Sequence, residues 1–174
     1  MRSENRSTHR TQLLYGETSL ITLRESKYEE LATIVEMEKQ SHAMEYIHGA
    51  SLEEHESNFA NRNIIYLTIV KADVGLAGFL VLVLGEERGD VEFRRILIDE
   101  NHKGIGQAAI QQMEMYCKTA LGAKRIWLDV YDDNEVAVHI YQKLGYRQFK
   151  MERHGERNLH FYEKALKKND ADGS

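Results

Sequence analysis

The stretch that decides the fold lies at residues 91–107 and reads VEFRRILIDENHKGIGQ. Its first eight residues, rich in aliphatic and aromatic side chains, predict a β-strand at 91–98. A polar loop with two glycines follows, and a helical pattern then runs over 104–121 before a second apolar strand at 125–130. A strand, a helix and a strand in this order predict a parallel pair joined by a right-handed crossover.

The segments on either side predict further elements. Apolar residues at helical spacing predict a helix over 27–38, and the capping pattern Ser51-Leu52-Glu53-Glu54 predicts another over 52–61. Aliphatic runs predict an antiparallel hairpin between 64–71 and 76–84. The remaining predicted elements are strands at 19–24, 146–150 and 158–164 and a helix at 134–144.

The element order β-α-α-β-β-β-α-β-α-β-β predicts an α/β fold. We expect a mixed, mostly antiparallel and strongly twisted sheet of about seven strands, flanked by about four helices. The polar segment 39–50 is expected to be irregular. One domain is expected over 13–168, with a disordered segment at 1–12 and a flexible tail at 169–174.

Composition narrows the class of partner. The chain has 174 residues, of which 42% are hydrophobic and 29% charged, with a net charge of −5. Its apolar runs are too short to cross a bilayer and no basic cluster is interleaved with aromatic residues, so neither a membrane nor nucleic acid is an expected partner. The single cysteine, Cys117, fits a reducing compartment, and we expect a cytoplasmic protein in which this residue is buried. The mild acidity weakly favours a cationic substrate.

The loop before the long helix has the composition of a phosphate-binding site. Gly104 and Gly106 permit a tight turn and the close approach of a ligand to the backbone. The first N–H groups of a helix have no intrahelical partner and lie at the positive end of the helix dipole, so they can hold phosphate oxygens. A glycine pair at a helix start also occurs at ordinary helix entries, so this loop alone does not decide the function.

A dinucleotide site competes with this interpretation. Residues 104–109 match the pattern Gly-x-Gly-x-x-Ala, and Asp129 lies near the end of the next strand, where a ribose-binding acid would stand. In that fingerprint the first glycine follows the strand almost directly, whereas here five residues intervene. The chain also has one strand–helix–strand unit among hairpins, not two doubly wound halves. A nicotinamide-dependent reductase is therefore the less favoured alternative.

Two motifs resemble the signatures of the GNAT superfamily of N-acetyltransferases. The stretch Lys103-Gly104-Ile105-Gly106, after an apolar strand, resembles the acyl-CoA pyrophosphate loop of that family. Asn134-x-x-Ala137-x-x-x-Tyr141-x-x-x-Gly145-Tyr146 is similar to its second signature. The resemblance covers about residues 64–166. The family's loop usually begins with Gln or Arg three residues before the first glycine, where this chain has Asn101.

The resemblance implies an enzyme that transfers acetyl from acetyl-CoA to a primary amine of a small molecule or peptide. It also implies a sheet that splays in the middle, where the pantetheine arm pairs with the end of a strand. By position, the residues implied to bind acetyl-CoA are Ile96, Leu97, Ile98, Lys103, Gly104, Ile105, Gly106, Gln107, Asn134 and Tyr141. A non-catalytic acyl-CoA-binding module, which would need neither Tyr141 nor a base, stays open as an alternative.

Asn134 and Tyr141 are seven residues apart and therefore lie on one face of the predicted helix. A thiolate leaves a thioester more easily beside a proton donor, and a tyrosine hydroxyl with a pKa of about 10 is protonated at neutral pH. The resemblance implies this general-acid role for Tyr141 and a cosubstrate contact for Asn134. As alternatives, Tyr141 is a core aromatic residue and Asn134, like Asp132 or Asp133, a helix cap.

The attacking amine must lose a proton, because an alkylammonium group with a pKa of about 10.4 is mostly charged at neutral pH. A carboxylate can accept this proton directly or through water. Glu92, on the strand before the loop, is the first candidate for this catalytic base, with a surface pair to Arg94 as the alternative. Lesser candidates for the base or the acceptor site are Glu36, Glu38, His42, Glu45 and Tyr46.

The sequence favours direct transfer without a metal or a covalent intermediate. No histidine or cysteine pair has the spacing of a metal motif. No serine lies in a nucleophile elbow, and the one cysteine is expected to be buried, so we expect the amine to attack within a ternary complex. Polyamines, a small metabolite or antibiotic amine, and a protein N-terminus all fit as acceptors, and a homodimer is compatible with the sequence.

Overall fold

A seven-stranded sheet forms the centre of the structure. The computed structural model describes residues 20–102 and 104–167. The strands are β1 (Ile21–Glu25), β2 (Ile64–Lys71), β3 (Gly75–Leu84), β4 (Asp90–Ile98), β5 (Arg125–Tyr131), β6 (Arg147–His154) and β7 (Arg157–Ala165). The α-helices are α1 (Leu31–Glu38), α2 (Ser41–Met44), α3 (Leu52–Ala60), α4 (Gly106–Ala120) and α5 (Glu135–Lys143).

The strands lie in the order β1-β2-β3-β4-β5-β7-β6, and every neighbouring pair is antiparallel except β4 and β5. This confirms the mixed, mostly antiparallel sheet expected from the sequence, and the element order agrees apart from the additional short helix α2. Residues 90–92 pair with residues 125–127, and within the described chain the parallel ladder has no further pairs. The rest of β4 stays paired with β3. A gap therefore opens in the sheet between β4 and β5.

Several boundaries differ from those predicted; helix α1, for example, begins at Leu31 rather than at residue 27. The segment 39–50, predicted to be irregular, contains the short helix α2. Helix α4 begins at Gly106 rather than at residue 104, because the φ of +96° at Gly104 lies outside the helical range. Strand β6 continues to His154 because it forms a hairpin with β7 over its whole length. The predicted terminal segments 1–12 and 169–174 lie outside the described residues.

Two hydrophobic clusters cover the two faces of the sheet. Leu80 and Leu82 of β3 belong to the larger cluster, which packs under α4. Phe79 and Val81 belong to the smaller cluster, which packs under α1. Because alternate residues of a strand point to opposite faces, α1 and α4 lie on opposite sides of the sheet. Each large side chain buried in this way contributes about 1.5–3 kcal/mol, so both helices are held firmly against the sheet.

The start of α3 confirms the predicted capping box. The Ser51 hydroxyl oxygen accepts from the Glu54 N–H at 3.2 Å, and the Glu54 carboxylate accepts from the Ser51 N–H at 2.7 Å. These two bonds satisfy backbone donors that a helix start otherwise leaves unpaired. None of the helices in the described ranges is long and apolar enough to cross a membrane.

Candidate functional site

A cleft of about 810 Å³ lies where β4 and β5 diverge. One side is formed by Phe93 and residues 94–98 of β4, and the other by residues 129–131 of β5 with the start of α5. The loop before α4 also borders it, and so do His42, Ala43, Tyr46, Ile47 and His48, which we name the α2 wall. The volume and the mixed polar and apolar lining are typical of small-molecule sites.

The loop before α4 brings two glycines to the cleft. A Cβ at Gly104 would meet no atom within 4 Å, so this position requires glycine for its positive φ rather than for space. A Cβ at Gly106 would approach only the Ile98 side chain, at 3.8 Å, so this position leaves room for a ligand. Among the described residues no side chain caps α4, and its first N–H groups are therefore available to an anion.

Asn134 stands at the start of α5 and lines the cleft. Its side-chain oxygen accepts from the Ala137 N–H at 3.3 Å, so Asn134 is the residue that caps α5. The cap uses the oxygen of the side-chain amide and leaves its two N–H donors for a ligand. The structural role and the predicted binding role of Asn134 are therefore compatible.

Tyr141 lies on α5 and lines the same cleft, with 8% of its surface exposed. Its ring makes edge-on contacts with Phe93, at 6.1 Å between centroids, and with Tyr146, at 5.8 Å. Burial and the negative charge of Asp129 raise the pKa of Tyr141 well above its ordinary value. The hydroxyl is therefore protonated at neutral pH. Tyr141 is a core aromatic residue and a wall of the cleft at once.

Glu92, the first candidate for the base, is held by Arg94 of the same strand. Arg94 donates to the two carboxylate oxygens of Glu92 from Nε at 2.9 Å and from Nη2 at 2.8 Å. Arg94 lines the cleft, but Glu92 is not among the lining residues. The surface pair weighed as the alternative is thus present. A catalytic role for Glu92 stays a prediction that this geometry does not favour.

Asp129 of β5 is the carboxylate that lines the cleft, and the sequence suggested it only as a ribose-binding acid. Its side chain is accessible to solvent in the open cleft, yet the walls around it partly desolvate it. This burial, followed by the charge of Glu92, raises the pKa of Asp129. Among the described residues it forms no salt bridge, unlike Glu92. The signal in the sequence is an acidic residue inside the otherwise apolar run 126–130.

Most of the predicted cosubstrate residues border this cleft. Eight of the ten line it, namely Ile96, Leu97, Ile98, Gly104, Gly106, Gln107, Asn134 and Tyr141. Ile105 is instead buried in the cluster under α4, where it precedes the first helical residue. Its side chain therefore serves packing, and a contact of its backbone with the cosubstrate stays a prediction. Lys103 lies outside the described residues.

The end of β4 is partly occupied by contacts within the protein. The Ile98 carbonyl oxygen lies 2.8 Å from His42 Nε2, so a side chain of the α2 wall already bonds to it. The Leu97 side chain is 4% exposed and packs in the cluster under α1. What this strand can offer to a ligand in the cleft are therefore the backbone groups of residues 96–98 that are bonded neither to β3 nor to His42.

The lesser candidates for the base or the acceptor site fall into two groups, those that line the cleft and those that do not. His42 and Tyr46 belong to the α2 wall. Glu36 pairs with Lys39 at the surface, and Glu45 is exposed, and neither lines the cleft. Glu38 is 2% exposed and bound to Arg95, which corrects its place among the candidate bases because its oxygens are already engaged.

Comparisons with known proteins agree with this arrangement. The model of the family described as Acetyltransferase (GNAT) matches residues 27–146, well over half of the chain. An uncharacterized N-acetyltransferase of Mycobacterium tuberculosis is 29% identical over 108 residues, which cover 54% of this chain and 69% of that protein. An N-alpha-acetyltransferase of Sulfurisphaera tokodaii is 25% identical over 113 residues, or 63% of this chain and 68% of that one.

A solved structure shows the same fold. The spermidine N-acetyltransferase from Vibrio cholerae, in complex with CoA and spermine, has a TM-score of 0.73 to this chain. The two share 22% identity, and the similarity covers 84% of this chain and 95% of that one. At this identity the comparison concerns the fold alone. The splay of the sheet that the resemblance implied is seen in this chain where the pairing of β4 and β5 stops.

Proposed function

The chain belongs to the acetyltransferase (GNAT) family and is an acetyl-CoA-dependent N-acetyltransferase, and from this premise we propose that it acetylates a primary amine bound in the cleft between β4 and β5. One observation carries the proposal. Gly106 at the start of α4, Tyr141 and Asp129 all border the same cavity. A seat for phosphate, a proton donor and a proton acceptor are thus close enough to serve one reaction.

The start of α4 is the proposed seat for the pyrophosphate of acetyl-CoA. Its unpaired N–H groups carry the positive end of the helix dipole, and Gly106 leaves space beside them. The backbone of residues 96–98 would accompany the pantetheine arm, and the amide donors of Asn134 would bind the cosubstrate. These roles need main-chain groups more than particular side chains, which suits the absence of Gln or Arg at position 101.

The proposed chemistry uses one acid and one base. Asp129 accepts a proton from the ammonium group of the acceptor, directly or through water. The free amine then attacks the thioester carbonyl carbon, so that a C–N bond forms and the C–S bond breaks with its electron pair on sulfur. Tyr141 donates its hydroxyl proton to the leaving thiolate, and the new amide nitrogen loses its second proton to solvent. Tyr141 and Asp129 return to their starting protonation states by exchange with solvent. The raised pKa of Asp129 makes it a better base than an ordinary carboxylate.

The charges around the cleft support a cationic acceptor. Arg94 is paired with Glu92 and Arg95 with Glu38, so both cleft-lining arginines are compensated. Asp129 lines the cleft and forms no salt bridge with the described residues, so its negative charge can attract an ammonium group. The similar Vibrio cholerae structure contains spermine, and the relative from Sulfurisphaera tokodaii is an N-alpha-acetyltransferase. Polyamines and peptide N-termini are therefore the first amines to test.

Cys117 supports direct transfer rather than an acyl-enzyme. It is fully buried, and burial together with the charge of Glu114 raises its pKa to about 12. A thiol with this pKa is almost entirely protonated at neutral pH and is a poor nucleophile. It also leaves a thiol-release assay undisturbed.

The test replaces Tyr141 with Phe, which removes the hydroxyl and keeps the ring contacts. We expect kcat in a thiol-release assay to fall about a hundredfold, while KM for acetyl-CoA stays within about twofold. Tyr146→Phe is the matched control, because Tyr146 touches the Tyr141 ring but does not line the cleft. Equal rates for both variants and the wild type would remove Tyr141 from the mechanism.

Two further measurements separate the alternative functions. Calorimetric binding of CoA without turnover on any polyamine or peptide would favour the non-catalytic module. Thermal stabilisation by NADH but not by acetyl-CoA would favour a reductase. The single domain over 13–168, the cytoplasmic location and a homodimer stay predictions from the sequence. Sedimentation velocity measures the last of these directly.

A further inference from the structure

A buried polar network lies behind the α2 wall. Glu38, at the end of α1, and His55 of α3 are 2% and 1% exposed. One Glu38 carboxylate oxygen lies 3.1 Å from His55 Nε2, and His55 Nδ1 lies 2.8 Å from the Tyr66 hydroxyl. The other oxygen of Glu38 is bound to the Arg95 guanidinium of β4. The network therefore joins α1, α3, β2 and β4.

Stability alone does not explain this arrangement. Burial by itself would raise the pKa of Glu38, but hydrogen bonds from His55 and the Ala50 N–H and the charge of Arg95 bring it below its ordinary value. The carboxylate therefore stays ionised inside the protein. Removing such charges from water offsets most of the attraction between them, so an apolar cluster would stabilise the fold as well.

What the network holds is a segment of irregular backbone. Residues 48–50 belong to no helix or strand. The Ala50 N–H donates to Glu38 at 2.8 Å, and Arg95 Nη2 donates to the His48 carbonyl oxygen at 3.2 Å. Arg95 and His48 both line the cleft. One buried carboxylate thus fixes a cleft-lining side chain and the backbone beside it.

We propose that Glu38 is a positioning residue for the amine acceptor, because it holds Arg95 and residues 48–50 and so fixes the shape of the α2 wall. This inference rests on the proposed function of the cleft. Glu38 acts through Arg95 and the backbone and does not touch the reacting atoms. Its loss therefore weakens acceptor binding and leaves the acetyl-CoA seat at the start of α4 and the proton transfer from Tyr141 intact.

The chain offers a matched control at the other end of α1. Glu30 accepts from both Nη atoms of Arg24, at 3.0 and 2.5 Å, from the Lys27 N–H at 2.8 Å and from the Thr68 hydroxyl at 2.8 Å. Like Glu38, it is a glutamate bound by an arginine, a backbone N–H and a side chain of β2 or α3, although its side chain is 16% exposed. None of its partners lines the cleft. Glu30→Gln therefore reproduces the loss of a charge without touching the α2 wall.

The experiment compares Glu38→Gln with Glu30→Gln in the full chain. For Glu38→Gln we expect KM for the amine to rise about tenfold, the effect of losing a hydrogen bond to a charged group. We expect kcat and KM for acetyl-CoA to stay within about twofold. Glu30→Gln should also lower Tm, because it removes a charge bound by Arg24, and should leave all three constants near their wild-type values. In parallel, NMR should show faster hydrogen exchange of the Ala50 N–H in Glu38→Gln only.

Two results would overturn the inference: an equal rise of the amine KM in both variants, or an equal rise of both KM values in Glu38→Gln. If Glu38→Gln does not fold, Tyr66→Phe replaces it, because this change removes only the hydroxyl at the far end of the network. Tyr66→Phe should raise the amine KM by less than the tenfold expected for Glu38→Gln, whereas the amine KM of Glu30→Gln should stay near the wild-type value. If the wild type acetylates no amine, the proposed function fails. The exchange of the Ala50 N–H then still reports whether Glu38 fixes residues 48–50.

Discussion

Glu92 of β4 and Asp129 of β5 are carboxylates on neighbouring strands, close to the point where the strands diverge. Glu92 is opposite Trp127 in the parallel ladder, two residues before Asp129. Arg94 occupies both oxygens of Glu92 and keeps it outside the cleft. Asp129 lines the cleft with no salt bridge among the described residues, and its pKa is raised. The difference teaches that the same chemical group becomes a structural partner or a base according to what surrounds it.

The largest expected effect comes from removing each carboxylate in turn. Asp129→Asn should lower kcat/KM for the amine about a hundredfold or more, because the variant lacks the proton acceptor. Glu92→Gln should lower it by no more than about fivefold, the scale of a partly exposed ion pair. Both are measured by thiol release at saturating acetyl-CoA. If Glu92→Gln loses as much activity as Asp129→Asn, the comparison is wrong and Glu92 is the base.

A smaller effect concerns the pH at which activity appears. The acid limb of kcat/KM follows the pKa of Asp129, since the base must be deprotonated to act. Glu92 raises that pKa and Arg94 lowers it. Glu92→Gln should therefore move the acid limb to lower pH, and Arg94→Gln should move it to higher pH. The amine's own pKa contributes equally to all profiles.

The pH profiles of kcat/KM for Glu92→Gln and Arg94→Gln, measured with the same amine, must shift in opposite directions from the wild-type profile. Shifts in the same direction, or two unshifted limbs, would show that the titration of Asp129 does not control the reaction. This pair of variants also separates charge from structure. Both changes break the same Glu92–Arg94 ion pair. If the loss of this pair alone shifted the acid limb, the shift would therefore have the same direction in both variants.

The parts of the site that could be predicted depend on local pattern. Gly104 and Gly106 follow a strand and precede a helical pattern, so the sequence places them at a helix start. Asn134 and Tyr141 are two helical turns apart, so their spacing places them on one face of a helix. The same is true of the fold: the switch between helical and alternating periods predicts the element order. The local conformation of Gly104, which moves the helix start to Gly106, is already beyond such patterns.

What could not be predicted depends on contacts between distant residues. The role of Asp129 follows from the register of β4 and β5 and from where their pairing stops. The burial of Glu38 requires His55, Tyr66 and Arg95, which come from three other elements. A glutamate near the end of an amphipathic helix is usually solvated, so the sequence gives no reason to expect this.

The smallest expected effect is on stability, and it has opposite signs for the two carboxylates. A carboxyl whose pKa is higher in the folded than in the unfolded chain binds its proton more tightly when folded. Ionised Asp129 therefore costs stability, and this cost grows as pH rises from the unfolded pKa, about 3.9, through the folded one.

Asp129→Asn should raise Tm slightly at pH 7.5, by about 1 °C because the side chain is open to solvent, and the gain should vanish near pH 4. Glu92→Gln removes an ion pair and should lower Tm by about 1–3 °C. Differential scanning calorimetry at both pH values measures these changes. A lower Tm for Asp129→Asn at pH 7.5 would mean that its carboxylate is a favourable partner in the fold, and the contrast with Glu92 would fail at its physical basis.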